Sequence, residues 1–142
     1  MNKGYISIFL MMVMVVILAA VATAGSVMIS NMKSNVAVEE TYKLFYLAEA
    51  GIAYGIDKIK TSPGFYTDPP AGAPLKNWLV AESLGNTYPM AAGGFKIICP
   101  SSGGVFYSVG FLGGDIAASE GYGFIKIEFV ADPFKVLKWE RF

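Results

Sequence analysis

The stretch that decides the fold is residues 5–60, YISIFLMMVMVVILAAVATAGSVMISNMKSNVAVEETYKLFYLAEAGIAYGIDKIK, which contains no proline. No charged residue falls between Lys3 and Lys33. At about 1.5 Å per helical residue, the part from Tyr5 to roughly Gly25 is long enough to cross the hydrocarbon core of a bilayer. A segment apolar on every side is unlike the surface helix of a soluble domain, whose apolar residues form one stripe. Lys3 precedes the run, so the positive-inside tendency leaves the start of the chain in the cytoplasm and places residues 33–142 outside.

Three readings of this segment are open. It can be a removable secretory signal, with Ile6 to Leu18 as its apolar core and small-x-small cleavage sites at Ala20-Val21-Ala22 and Ala22-Thr23-Ala24. It can be an uncleaved single-pass anchor of an envelope complex. It can also be a short leader, residues 1–4, cut between Gly4 and Tyr5 so that the apolar helix stays with the mature chain.

The sequence beyond the apolar run favours the last two. Val38, Tyr42, Phe45, Ile52, Ile56 and Ile59 recur at helical spacing and predict an apolar stripe that packs on something. Glu39 and Lys43 stand at i,i+4 on the solvated side. Glu49, at the edge of the stripe, is either a carboxylate that takes backbone hydrogen bonds and fixes how a sheet docks, or a surface glutamate. Gly51 and Gly55 each cost a helix about 1 kcal/mol relative to alanine, which suggests that another segment approaches closely there. Ala19, Ala20, Ala22, Ala24, Gly25 and Ser26 cluster where the helix would leave a bilayer, and small residues permit close helix packing. Anchor and amphipathic half thus read as one helix over residues 5–60.

Residues 61–142 are expected to form a small β-rich head. Thr61 to Pro74 is rich in proline and glycine and reads as a loop. A short helix is predicted over Leu75–Leu84, with Trp78, Leu79 and Leu75 toward the core. After Pro89 the period becomes two: Phe95, Ile97 and Cys99 alternate with Lys96 and Ile98, and Phe106, Ser108 and Gly110 with Tyr107, Val109 and Phe111. The stretch Phe124 to Val130 alternates with Lys126 and Glu128. Gly93-Gly94, Ser101–Gly104, Gly113-Gly114 and Gly121–Gly123 punctuate these runs as turns. The predicted class is α+β: a long helix, apolar and then amphipathic, packed on an antiparallel meander of three or four strands over residues 90–130.

The leader ending Lys3-Gly4, the aromatic Tyr5, the apolar helix and the segment Phe45-Tyr46-Leu47-Ala48-Glu49-Ala50-Gly51-Ile52 together resemble type IV pilin-like proteins. Among them the resemblance is nearest to PilX-type minor pilins and the K-type pseudopilins of type II secretion. It implies cleavage by prepilin peptidase after Gly4, N-methylation of Tyr5, and assembly through the helix into a pilus-like filament or pseudopilus at an inner-membrane platform. The implied partners are other copies of the chain or other pilin-like subunits, with the membrane as host before assembly. Residues Phe9, Ala22, Gly25, Phe45, Glu49 and Gly51 would then serve helix packing and assembly. Shaft-building members of the family generally carry glutamate where this chain has Phe9, and that glutamate is thought to pair with a neighbour's N-terminal ammonium. A minor or tip position follows from the difference.

No chemistry is expected. Histidine is absent, Cys99 is the one cysteine, and no nucleophile motif or phosphate loop is present, so neither enzyme nor cofactor is predicted. Cys99 in GGFKIICP reads as a buried inert thiol that cannot form an intrachain disulfide. Asp115, Ser119 and Glu120 match no standard calcium loop and read as a solvated loop. Eleven basic and eleven acidic residues leave no net charge and no basic patch for nucleic acid. The remaining alternative to a filament subunit or anchor is a secreted binding module released by signal peptidase.

Overall fold

The computed structural model describes residues 3–62, 67, 75–81 and 85–142. It has a long N-terminal helix and a five-stranded antiparallel sheet, an α+β architecture. The chain divides into two compact units, Met1–Glu39 and Glu40–Phe142. Helix α1, Lys3–Thr61, runs for 59 residues, as expected of a stretch with no proline and few glycines. Lys58 and Lys60 occupy its last turn, where cations offset the partial negative charge of the free carbonyls. Most of the loop expected over Thr61–Pro74 lies outside the described residues. Within it, the Thr67 amide donates to the Cys99 carbonyl at 2.7 Å.

Helix α2, Leu75–Val80, is shorter than the predicted Leu75–Leu84. The Ala81 amide donates to the Trp78 carbonyl, an i to i−3 bond that tightens and ends the helix early. Trp78 and Leu79 are buried as predicted, but Leu75 is exposed.

Five strands follow in sequence order, β1 (Asn86–Met90), β2 (Gly93–Ile98), β3 (Val105–Leu112), β4 (Tyr122–Val130) and β5 (Lys135–Arg141), each antiparallel to its neighbour. The sheet is therefore larger than the predicted three or four strands. Outer strand β1 contains Pro89, and an edge strand tolerates a proline because one side of it has no ladder bond to lose. In β5 the register with β4 shifts at Glu128/Phe129, so the alternation of KVLKWER slips by one residue partway along. Gly93 and Gly94 lie inside β2 rather than in the preceding turn, which is made by Ala91 and Ala92.

Both sheet faces are covered. On one, Ala48 and Ile52 of α1 pack with Phe95, Ile97, Cys99, Phe106, Ile125 and Ile127. On the other, Trp78 and Leu79 of α2 pack with Ile98, Val109, Phe111, Ile116 and Phe124. Two covered faces explain why all six residues of β2 are buried, including Lys96, which simple alternation leaves on an outer face.

Of the predicted helical stripe, Phe45, Ile52, Ile56 and Ile59 pack on the α1-facing core, and its first two members do not. Val38 and Tyr42 are exposed, whereas Leu44, Ala48, Gly51, Ile52 and Gly55 face the sheet. The reason is close approach. Gly110 and Gly123 are cross-strand partners on β3 and β4, and together they open a notch for the backbone of α1. A Cβ at Gly123 would stand 2.8 Å from the Leu44 carbonyl oxygen, and one at Gly110 would collide with the same atom. On the helix side, a Cβ at Gly51 would strike Ser108 and Phe95, and one at Gly55 the Phe106 ring. Small residues thus bring helix and sheet together where larger ones would hold them apart.

Candidate functional site

The first unit consists of helix whose apolar side chains are exposed, covered by none of the described residues. Every residue from Tyr5 to Glu39 is exposed, with Tyr5 at 78% and Phe9 at 68%. Full burial of a single Val, Leu, Ile, Phe or Met side chain is worth about 1.5–3 kcal/mol, so a surface of this extent needs lipid or other protein around it. The helix is long and apolar enough to cross a membrane.

Two of its hydroxyls bond back to carbonyls of their own helix. The Thr23 hydroxyl donates to the Ala19 carbonyl at 3.1 Å or to that of Ala20 at 2.9 Å, and the Ser26 hydroxyl to the Thr23 carbonyl at 2.8 Å. Ala22 and Gly25 lie on this exposed stretch, and a Cβ added at Gly25 would meet nothing. The bond between Gly4 and Tyr5 falls in the first turn of α1.

The remaining residues singled out for assembly belong to the second unit. Phe45 is half-buried at the margin of the α1-facing core, and Gly51 is fully engaged with the sheet. The Glu49 carboxylate accepts from the Arg141 guanidinium, which also lies 5.3 Å from the Phe45 ring centroid. Its partner is therefore a side chain of β5 rather than backbone. Arg141 is a residue that sequence reasoning missed: it sits in the closing LKWERF, and only the pairing of β5 with β4 brings it opposite Ile125 on the α1 face.

Elsewhere the polar groups are largely occupied. Lys126 lies 2.7 Å from Glu128 and 3.7 Å from Glu140, beside a cleft of about 410 Å³ that Leu75, Tyr107 and Phe142 also line. Its ammonium is held above the usual lysine range, chiefly by the hydrogen bond to Glu128. Lys138 pairs with Glu140 and pulls that carboxyl down. Cys99 is buried, its thiol facing the Val105 carbonyl at 3.7 Å, and burial pushes its pKa up to about 11. Asp115 accepts from the Ala117 amide and Ser119 bonds to Gly121 and Leu112, so these two serve to shape their loop. Tyr54 packs against Tyr88 and Phe95, with ring centroids 4.5 Å and 5.9 Å away. Among the described residues no group of three or more His, Cys, Asp or Glu side chains is placed to hold a metal ion.

The chain matches no protein-family model, no curated protein and no solved structure.

Proposed function

We propose that this chain is a structural subunit of a type IV pilus-like filament or pseudopilus, held in the cytoplasmic membrane by α1 before assembly. The observation that carries the reading is that one helix combines a wholly exposed, uncharged and largely apolar stretch, Tyr5 to Met32, with a stretch docked on an antiparallel sheet. A plain anchor needs only about 20 residues and has no reason to continue as the docked helix of a domain. A helix that must first sit in lipid and then pack among its own kind needs both parts. The Lys3-Gly4-Tyr5 leader and the FYLAEAGI segment support the same reading by resemblance. Prepilin peptidase would cut after Gly4, and Tyr5 would become the methylated N-terminus.

Phe9 assigns a place within such a filament. With no carboxylate at that position, the Tyr5 ammonium has no acidic partner from an equivalent subunit, and an unpaired charge in an apolar core is costly. A minor or tip subunit, neighbouring a pilin that does carry the carboxylate, satisfies this requirement. The exact mass of the N-terminal peptide, taken from cell envelopes and from sheared surface material, tests the proposal. A start at Tyr5, methylated or not, is the expected result. A start at Met1 would indicate an uncleaved anchor, and one at Thr23 or Gly25 a secreted domain.

A further inference from the structure

Tyr54 on α1 and Tyr88 on β1 are half-buried and in ring contact, with centroids 4.5 Å apart and planes inclined by 55°. Their hydroxyls share a hydrogen bond. Buried Phe95 holds both rings in place. It lies opposite Tyr88 in the register of β1 with β2, stacks on that ring at 5.2 Å and meets Tyr54 at 5.9 Å. Among the described residues this is the one contact between two tyrosine rings. The ring carbons ortho to a hydroxyl are next to the carbon that bears it. Hydroxyls bonded to each other therefore bring ortho carbons of the two rings within a few ångström of one another.

We propose that Tyr54 and Tyr88 form an oxidative cross-linking site, at which a haem peroxidase acting with hydrogen peroxide joins the two rings into a biphenol that ties α1 to β1. Each phenol gives up one electron and one proton and becomes a phenoxyl radical, whose unpaired electron is shared with its ortho carbons. One carbon–carbon bond then forms between an ortho carbon of each ring. Each of these carbons loses its hydrogen as a proton while the phenolic oxygen regains one, and both rings are aromatic again. Two C–H bonds are thus replaced by one C–C bond, and the two electrons and two protons released reduce one hydrogen peroxide to two waters. Partial exposure lets electrons leave toward an oxidant at the surface, and contact within one chain favours this pairing over encounters between copies. The consequence is structural. Strand β1 is an outer strand bonded to the sheet on one side, and Pro89 lacks a donor within it. A link from residue 54 to residue 88 closes a loop and removes freedom from the unfolded chain, as a disulfide does. The site needs only the fold of residues 40–142, so it is independent of the filament reading.

Dilute full-length chain in detergent, treated with a haem peroxidase and hydrogen peroxide, tests this. Digestion of the monomer fraction is expected to yield a peptide containing Tyr54 joined to one containing Tyr88, two hydrogens lighter than their sum and carrying the blue fluorescence of a biphenol. Tyr54→Phe and Tyr88→Phe keep the packed rings but lack one phenol, so each should lose this product almost entirely. Tyr46→Phe, which alters an exposed ring of the same helix, should leave it intact. The linked monomer should unfold at a urea midpoint higher by on the order of 1 M. A monomer without the joined peptide, tyrosines joined only between copies, or a product that survives either phenylalanine substitution at the pair would overturn the cross-linking site. A linked monomer with an unchanged midpoint would overturn its role in fastening β1 to α1.

Discussion

Lys96 brings an amine into a strand covered on both sides, where it donates to the Ala81 carbonyl and burial lowers its pKa from 10.5 to about 8. Between those two values the unfolded chain holds a proton that the folded chain has released, so stability rises with pH across that window. Two other groups act in the opposite sense. Burial raises Cys99 from 9.0 to about 11, and burial together with the Tyr54 hydrogen bond raises Tyr88 from 10.0 to about 12. Each keeps a proton in the folded state that the unfolded chain has lost, so stability falls as pH climbs through those windows. The prediction is a rise from pH 8 to about 9, a plateau, and a fall above about 10, read as urea midpoints of the full chain in detergent. Lys96→Met should remove the rise and leave the fall, and a rise that survives it would disprove the assignment to Lys96. Ser108 presents a smaller case. Its hydroxyl is buried against Gly51 and has no partner among the described residues, so it carries a desolvation cost with no bond in return. Ser108→Ala is expected to leave the urea midpoint unchanged or to raise stability by up to about 1 kcal/mol, and a loss above that size would mean that the hydroxyl is bonded in solution.

Docking of α1 on the sheet depends on the notch at Gly110 and Gly123, and this can be tested against a glycine that does nothing similar. Gly110→Ala forces a Cβ into the Leu44 carbonyl and should cost about 1–3 kcal/mol by overpacking. Gly114→Ala meets open space and should cost little, and equal urea midpoints for the two variants would refute the notch. The Glu49–Arg141 pair ties β5 to the same helix, but both side chains are partly exposed. A double-mutant cycle with Glu49→Ala and Arg141→Ala is therefore expected to give a coupling of only about 0.2–1 kcal/mol. These contacts also mark where sequence reasoning succeeded and stopped. Helix α1 was legible because continuous apolarity followed by a proline-free amphipathic stretch has few other solutions. Strands β2, β3 and β4 were legible from period two. The stripe is legible at Phe45, Ile52, Ile56 and Ile59 and fails at Val38 and Tyr42, because periodicity counts large side chains whereas the close approach to the sheet is made by small ones, Ala48, Gly51 and Gly55. Pro89 hid β1 by looking like a breaker, and the register shift hid β5 and with it Arg141. Burial of Lys96 was hidden because alternation alone says nothing of a second helix across the sheet.

Neither sheet edge is open to simple strand addition: Pro89 interrupts the donors of β1, while lysines and the register shift blunt β5. A long uncovered apolar surface lies instead on the helix, over residues 5–32. That surface does no folding work for residues 40–142, since none of it is buried in the chain. Membrane insertion and folding should then be separable by substitution. Each Leu, Ile, Phe, Val or Met favours insertion by roughly 0.4 kcal/mol, which summed over the run from Tyr5 to Ala24 gives on the order of 5 kcal/mol. An aspartate at the centre of the span costs about 3 kcal/mol. Met14→Asp alone should therefore still insert, whereas Leu10→Asp, Met14→Asp and Leu18→Asp together should not. Carbonate extraction of membranes reads the difference, with the single variant retained in the pellet and the triple variant released. The urea midpoint of the β-rich unit, followed by near-ultraviolet circular dichroism, should be the same in both, within about 0.5 kcal/mol, as for surface changes remote from a core. A shift in that midpoint would mean that the apolar helix supports the fold of the sheet, and retention of the triple variant would mean that lipid is not what covers it.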